Sequence, residues 1–134
     1  MKDRSAYYRA WHKAHKAQDN AYDRLHMRRK RLADKELVIR HYSHGTMACA
    51  NPFGEHEKPY TNILALTIDH VNDDGAEERR KIGKTVGSGT FYALLIKKGY
   101  PEGYQVLCWN CQWIKRQRHI KAQIEKMDGK QSNA

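Results

Sequence analysis

Between Met1 and His44 there is neither a glycine nor a proline. A run of that length without either breaker, rich in Ala, Arg, Lys, Leu and Met, is expected to form one long helix or two joined end to end. It carries 12 Lys and Arg against five Asp and Glu, so seven of the ten surplus positive charges of the 134-residue chain lie in its first third. Tyr7, Tyr8, Trp11, Ala14, Ala21, Tyr22, Leu25, Leu32, Val38 and Ile39 give only a ragged apolar stripe, and Asp19-Asn20 weaken the helix where they stand. A helix so poorly amphipathic projects from the folded unit over at least its first half. Arg28-Arg29-Lys30-Arg31 is its densest cationic patch. It reads either as an arm gripping a nucleic-acid backbone or as a solvated or dimerising helix, and the charge of the whole run favours nucleic acid.

Beyond His44 the balance is nearly even, with 13 Lys and Arg against 10 Asp and Glu. Gly45 ends the leader, and Asn51-Pro52-Phe53-Gly54 marks a turn followed by loop through Tyr60. Ile63 to Ile68 reads as a strand that runs into Asp69-His70, with a loop of turn-formers from Val71 to Gly75. A helical turn is expected at 77–82, a glycine-punctuated linker at 83–89, and a short helix at 90–98 whose Phe91, Leu94 and Leu95 face the core. Gly103 to Cys108 reads as a second strand, and a final helix opens near Asn110 and runs to about Met127. The pattern is α+β: a basic helical arm (1–44), a small mixed domain (45–127) and a polar, disordered tail (128–134). No apolar run approaches the roughly 20 residues needed to span a bilayer, and no secretory apolar core opens the chain, so a soluble, intracellular protein without a membrane partner is expected.

Two short motifs carry chemistry. Leu66-Thr67-Ile68-Asp69-His70 alternates and then ends in a carboxylate beside an imidazole, placing a hard oxygen ligand next to a base that titrates near neutrality. Cys108-x-x-Cys111, with Cys49 as the third cysteine of the chain, fits a reducing compartment and metal binding better than a disulfide framework.

Strand with Asp-His, loop, strand with Leu-Cys-x-x-Cys, helix: this order resembles the ββα-metal domain of HNH endonucleases, specifically the small phage-type members related to endonuclease VII. The matching pieces are Leu66-Thr67-Ile68-Asp69-His70-Val71-Asn72-x-Asp74-Gly75, Phe91-Tyr92-x-Leu94 and Tyr100-Pro101-Glu102-Gly103-Tyr104-Gln105-Val106-Leu107-Cys108-x-Asn110-Cys111. The resemblance covers roughly His41 to Lys121 and implies a metal-dependent DNA endonuclease, of the phage and homing kind, acting on duplex DNA in the cytoplasm of a bacterial host. It implies that His70 is the general base and that Asp69 ligates a single Mg²⁺ or Mn²⁺. Asn72 orients the loop or His70 itself, or is an Asx-turn residue. The second metal ligand of the family falls on Gln112, where relatives usually carry Asn or His, and Glu78 stands where relatives often carry His. The altered ligand keeps a second reading open, an HNH-like nucleic-acid-binding protein with impaired catalysis; an RNA-binding role is a third.

The resemblance also bears on zinc. Relatives often clamp the domain with two Cys-x-x-Cys pairs, whereas here the first pair has only Cys49, with Pro52 in its partner's place. Either His56 or His44 completes a Cys₃His zinc site with Cys49, Cys108 and Cys111, or the cysteines simply pack. Lys115, Arg116, Arg118 and Lys121 on the last helix are the candidates within the domain for gripping the DNA backbone, and the leader is a candidate homodimer arm. Trp109 and Trp113, four residues apart, are expected to pack in the core rather than stack on bases.

Overall fold

The computed structural model describes residues 4–83 and 88–131. Its element order is α1 (Arg4–Tyr42), β1 (Leu66–His70), α2 (Gly75–Ile82), α3 (Ser88–Lys97), β2 (Tyr104–Cys108) and α4 (Trp109–Gln131). The leader is thus one uninterrupted 39-residue helix. Asp19-Asn20 do not break it, because a few tenths of a kcal/mol of unfavourable propensity at each is spread over many good helix formers. Its aromatic and aliphatic residues from Tyr7 to Leu32 are exposed, and only Val38 and Ile39, near its end, are buried. The helix stops where the Gly45 N–H bonds back to the Arg40 carbonyl at 2.9 Å, with Gly45 at φ +81°, a conformation open to glycine at little cost.

β1 and β2 form a two-stranded antiparallel sheet in the register Leu66↔Cys108, Ile68↔Val106, Asp69↔Gln105 and His70↔Tyr104. The first strand therefore begins later than expected and includes Asp69 and His70. Residues Ile63 to Ala65 are instead drawn into a turn by Asn62, whose carbonyl accepts from Ala65 and Leu66 and whose side-chain oxygen accepts from Leu64. The α2 helix starts at Gly75, two residues before the expected turn, and α3 starts at Ser88; of the expected linker, residues 84–87 lie outside the described residues.

Two clusters make the core. Ile39, Leu66, Val106 and Leu107 pack with the three cysteines, and Val38 of α1 packs with Tyr92 and Leu95 of α3; Tyr42 and Ile68 touch both clusters and join them. Leu95 is buried as expected, whereas Leu94 is only partly buried and Tyr92 takes its place facing α1. The Tyr42 hydroxyl donates to the Pro101 carbonyl at 2.6 Å and ties α1 to the loop before β2. Ten apolar residues are buried among the described ones, and three of them are cysteines. At about 1.5–3 kcal/mol for each large aliphatic side chain, such a core is thin, as in small domains that rely on a staple.

The last helix departs from expectation twice. It continues through Asp128 and Gly129 to Gln131, so the first part of the expected tail is helical. One glycine costs about 1 kcal/mol and does not end a helix of this length. Trp109 and Trp113 are not core residues: they are 62% and 58% exposed. Cys111, buried on the same helix, sets which face points inward, and the two indoles fall on the other.

Candidate active site and metal centre

Asp69 and His70 close β1 at the edge of an open cleft of about 610 Å³, which Gln112, Lys115, Trp109 and Trp113 of α4 also line. Pairing with β2 fixes both side chains. The Gln105 amide, opposite Asp69 in the ladder, donates to Asp69 Oδ2 at 2.9 Å, and the Tyr104 ring, opposite His70, lies 4.9 Å from the imidazole.

The partner of His70 is Glu78. His70 Nε2 lies 2.5 Å from Glu78 Oε2, and the Tyr104 hydroxyl donates to Glu78 Oε1 at 2.6 Å. Burial pushes the Glu78 carboxyl up, but the hydrogen bonds from Tyr104 and His70 and the nearby Lys98 outweigh it and hold the group below its ordinary value. An ionised carboxylate only accepts, so His70 carries a proton on Nε2, and the neutral ring has its lone pair on Nδ1. Nδ1 sits over Gly75, where a Cβ would lie 2.8 Å from it. Asn72 is exposed in the turn after β1 and does not orient His70; Glu78 has that position.

Lys115 also departs from expectation. Its side chain is only 13% exposed, and its ammonium lies 2.6 Å from Asp69 Oδ2, 2.9 Å from Asp73 Oδ1 and 2.5 Å from the His70 carbonyl. All three N–H donors are spent inside the protein, so Lys115 is not a free cation for a DNA backbone. Burial works against its charge, but Asp69 and Asp73 outweigh that and hold its pKa above the ordinary lysine value. The second expected metal ligand, Gln112, lines the same cleft, with Oε1 2.8 Å from the Thr67 hydroxyl, which also lies 3.0 Å from the Leu107 carbonyl.

Among the other expected cations, Arg28, Arg29 and Arg31 are exposed on α1, and Lys30 is paired with Asp34 at 2.7 Å. Arg118 stacks over Phe53 at 4.2 Å and reaches Glu55 at 3.5 Å, so it clamps a loop. Lys121 faces Glu125 at 3.9 Å. Arg116 remains exposed beside the cleft, and Arg79 of α2 joins it there.

At the other end of the sheet, where Cys108 pairs with Leu66, Cys49, His56, Cys108 and Cys111 converge, their ligand atoms all within 4.8 Å of one another. The loop that brings His56 back is organised by Asn51, at φ +46°: its Oδ1 accepts from the Glu55 N–H and its Nδ2 donates to the His56 carbonyl, both at 2.8 Å. The His56 Nδ1–H donates to the Lys58 carbonyl at 2.9 Å, which fixes the tautomer and leaves a lone pair on Nε2. That Nε2 is buried without a hydrogen-bond partner. The backbone N–H groups of Asn51 and Cys108 donate to Cys49 Sγ at 3.3 and 3.2 Å. Burial pushes the Cys111 thiol up to about 12; at Cys108 burial acts the same way, but the hydrogen bonds of Cys111, Cys49 and Asn110 outweigh it and lower the pKa. An orphaned imidazole nitrogen aimed at three thiols is a donor set for a soft tetrahedral ion, so this cluster can hold a metal. His44, exposed beyond the end of α1, is not part of it.

No family model matches the chain, and neither a curated protein nor a solved structure matches it.

Proposed function

We propose that the chain is a metal-dependent DNA endonuclease of the HNH kind, with His70 as general base. The observation that carries the reading is the Tyr104–Glu78–His70 relay at the end of β1: a carboxylate holds the imidazole in one tautomer, with its free nitrogen at a cleft containing Asp69. In this mechanism Nδ1 takes the proton of the water that attacks phosphorus, and Glu78 stabilises the imidazolium that results. Asp69 and Gln112 would hold one Mg²⁺ or Mn²⁺, which supplies charge stabilisation for the phosphate and the departing 3′ oxygen.

The donor set fits a hard cation. Two carboxylates and the His70 carbonyl already gather around the Lys115 ammonium, and oxygens that hold an ammonium suit a hard divalent ion once Lys115 swings away. Thr67 has a single proton and two carbonyl oxygens in reach. With the Gln112 amide turned over, its NH₂ donates to Thr67, Thr67 donates to Leu107, and the Gln112 carbonyl oxygen is released for a metal. Supercoiled plasmid should be nicked or linearised with Mg²⁺ or Mn²⁺ and remain intact in EDTA. Equal cutting in EDTA, or none with either ion, defeats the reading.

Gly75 provides a finer test. A methyl group there meets the His70 ring at 2.8 Å from Nδ1 and 2.9 Å from Cε1, and the ring is pinned by Glu78 and Tyr104. Gly75→Ala should slow cleavage by roughly 10- to 100-fold through misplacement of the base, with DNA affinity unchanged and some loss of thermal stability, because the pinned ring has to shift to admit the methyl group. Unchanged turnover in this variant would mean that the His70 position does not limit the reaction.

The salt bridge of Lys115 to Asp69 favours a second reading, a DNA-binding protein without turnover, in which the ammonium permanently fills the cation position. Salt-dependent DNA binding with no divalent ion bound at Asp69 would select it. For the cysteine cluster we propose Zn²⁺ as a structural ion, held by Cys49, His56, Cys108 and Cys111. The support is the three-sulfur, one-nitrogen donor set and the buried, unpartnered His56 Nε2.

A further inference from the structure

The end of β1 and the turn after it fold around the Lys115 ammonium. Asp69 Oδ2 lies 2.6 Å from Nζ, the His70 carbonyl 2.5 Å, Asp73 Oδ1 2.9 Å and the Val71 carbonyl 3.4 Å. The turn that brings Asp73 round is closed by its own N–H on the His70 carbonyl at 3.2 Å, with Asp73 at φ +58°. A lysine at the edge of a cleft ordinarily extends its head into water. This side chain is drawn inward to 13% exposure, whereas that of Lys121 on the same helix is 79% exposed. Two carboxylates and two carbonyls are the surroundings of a hard cation, and here the chain supplies the cation itself.

Resting on the nuclease reading above, we propose that Lys115 is a resident counter-ion that keeps the divalent ion off Asp69 until DNA binds, when a substrate phosphate draws the ammonium away. The two cations exclude each other. An ion on Asp69 Oδ2 would have the ammonium in its coordination shell, where it has no lone pair to offer and its like charge repels. Lys115 also lines the cleft, together with Arg79 and Arg116, and its flexible four-carbon stem lets the head pivot into that space while α4 stays in place. In the free protein a displaced ammonium trades two carboxylates for water alone. With DNA in the cleft it gains a phosphate oxygen, for which a lysine is a good point-charge partner. Metal and DNA therefore bind cooperatively, each raising the affinity of the other by the same factor. Without DNA the carboxylates stay neutralised by Lys115 and the hydrolytic ion is held weakly.

Amine acetylation followed by mass spectrometry reads the position of Lys115 in the unaltered chain, whatever the stability of any variant. In EDTA Lys115 should be protected relative to Lys121, and saturating Mn²⁺ should raise its labelling severalfold while Lys121 stays as it was. By calorimetry, Lys115→Met should bind Mn²⁺ roughly 5- to 150-fold more tightly than the parent protein. In a His70→Ala background, chosen to leave DNA uncut, a short duplex should tighten Mn²⁺ binding beyond what the duplex binds alone, with free Mn²⁺ read by electron paramagnetic resonance. Adding Lys115→Met to that background should erase the gain. Labelling unchanged by bound Mn²⁺, no Mn²⁺ bound by either form, or no gain from the duplex overturns the exchange. Weaker Mn²⁺ binding by Lys115→Met also overturns it and makes Lys115 a brace that holds Asp69 for the ion. Release of Lys115 by Mn²⁺ without plasmid cleavage in Mg²⁺ or Mn²⁺ retires the nuclease reading and leaves the exchange standing, whereas cleavage with Lys115 still protected in Mn²⁺ retires the exchange alone.

Discussion

His70→Ala should lower the plasmid cleavage rate by about 10²- to 10⁴-fold, the range that a positioned general base contributes, and leave DNA affinity close to that of the parent protein. The expectation rests on geometry. Glu78 holds Nε2, so the ring cannot turn away, and Nδ1 is the one nitrogen left to accept a proton. Alanine removes that acceptor but none of the exposed cations on α1. Phe91 and Tyr104, whose ring centroids lie 5.7 and 4.9 Å from His70, lose a neighbour, so near-UV circular dichroism and a salt titration of DNA binding should accompany the rate measurement. Undiminished cleavage by a well-folded His70→Ala protein sinks the mechanism. A parallel fall in binding and rate would instead make His70 a DNA contact.

Stripping zinc should have the largest effect on stability. Structural zinc sites bind with apparent free energies of about 10–16 kcal/mol near neutral pH, as much as the whole stability of a typical domain. Here the cluster contributes three of the ten buried apolar residues among the described ones and joins Cys49, before the sheet, to Cys108 and Cys111 at the junction of β2 and α4. A strong chelator, or Cys111→Ser, should abolish the cooperative thermal transition of the domain while α1 keeps much of its helical signal. His56→Ala, which leaves three sulfurs for the ion, should cost less. The pH dependence has a definite sign. Zinc needs thiolates, and burial holds the Cys111 thiol at about 12 in the metal-free protein, so affinity rises with pH and acid releases the ion. One zinc per chain by elemental analysis is the direct check. A metal-free protein with an unchanged melting transition would mean that the cysteines serve only as packing.

Local chemistry accounts for what could be read in the chain. Absence of glycine and proline gave the long helix, alternation gave the strand that ends in Asp69-His70, and the Cys-x-x-Cys spacing placed two sulfurs at the start of a helix. The missed features join residues that no periodicity relates. Glu78 lies eight positions after His70, a separation that becomes a hydrogen bond only because the turn at 71–74 folds α2 back over the strand end. Lys115 reaches Asp69 across 46 positions, and its neighbours Arg116 and Arg118, identical to it in charge pattern, face elsewhere. The choice of His56 over His44 was settled by the Asn51 turn, a conformation at positive φ with no unique sequence signature.

The sequence by itself determined the type and order of the main secondary elements, the strand-end position of Asp69 and His70 and the uneven distribution of charge, because each follows from backbone propensity and near-neighbour spacing. Tertiary structure alone decided which carboxylate orients His70, that Lys115 pairs inward, that His56 is the fourth cluster member and that both indoles face the cleft. The first and third of these follow from the turns at 71–74 and Asn51, and the other two depend on how the face of α4 that buries Cys111 docks on a two-stranded sheet. That docking rotates every other residue of the helix to a place its own spacing does not specify.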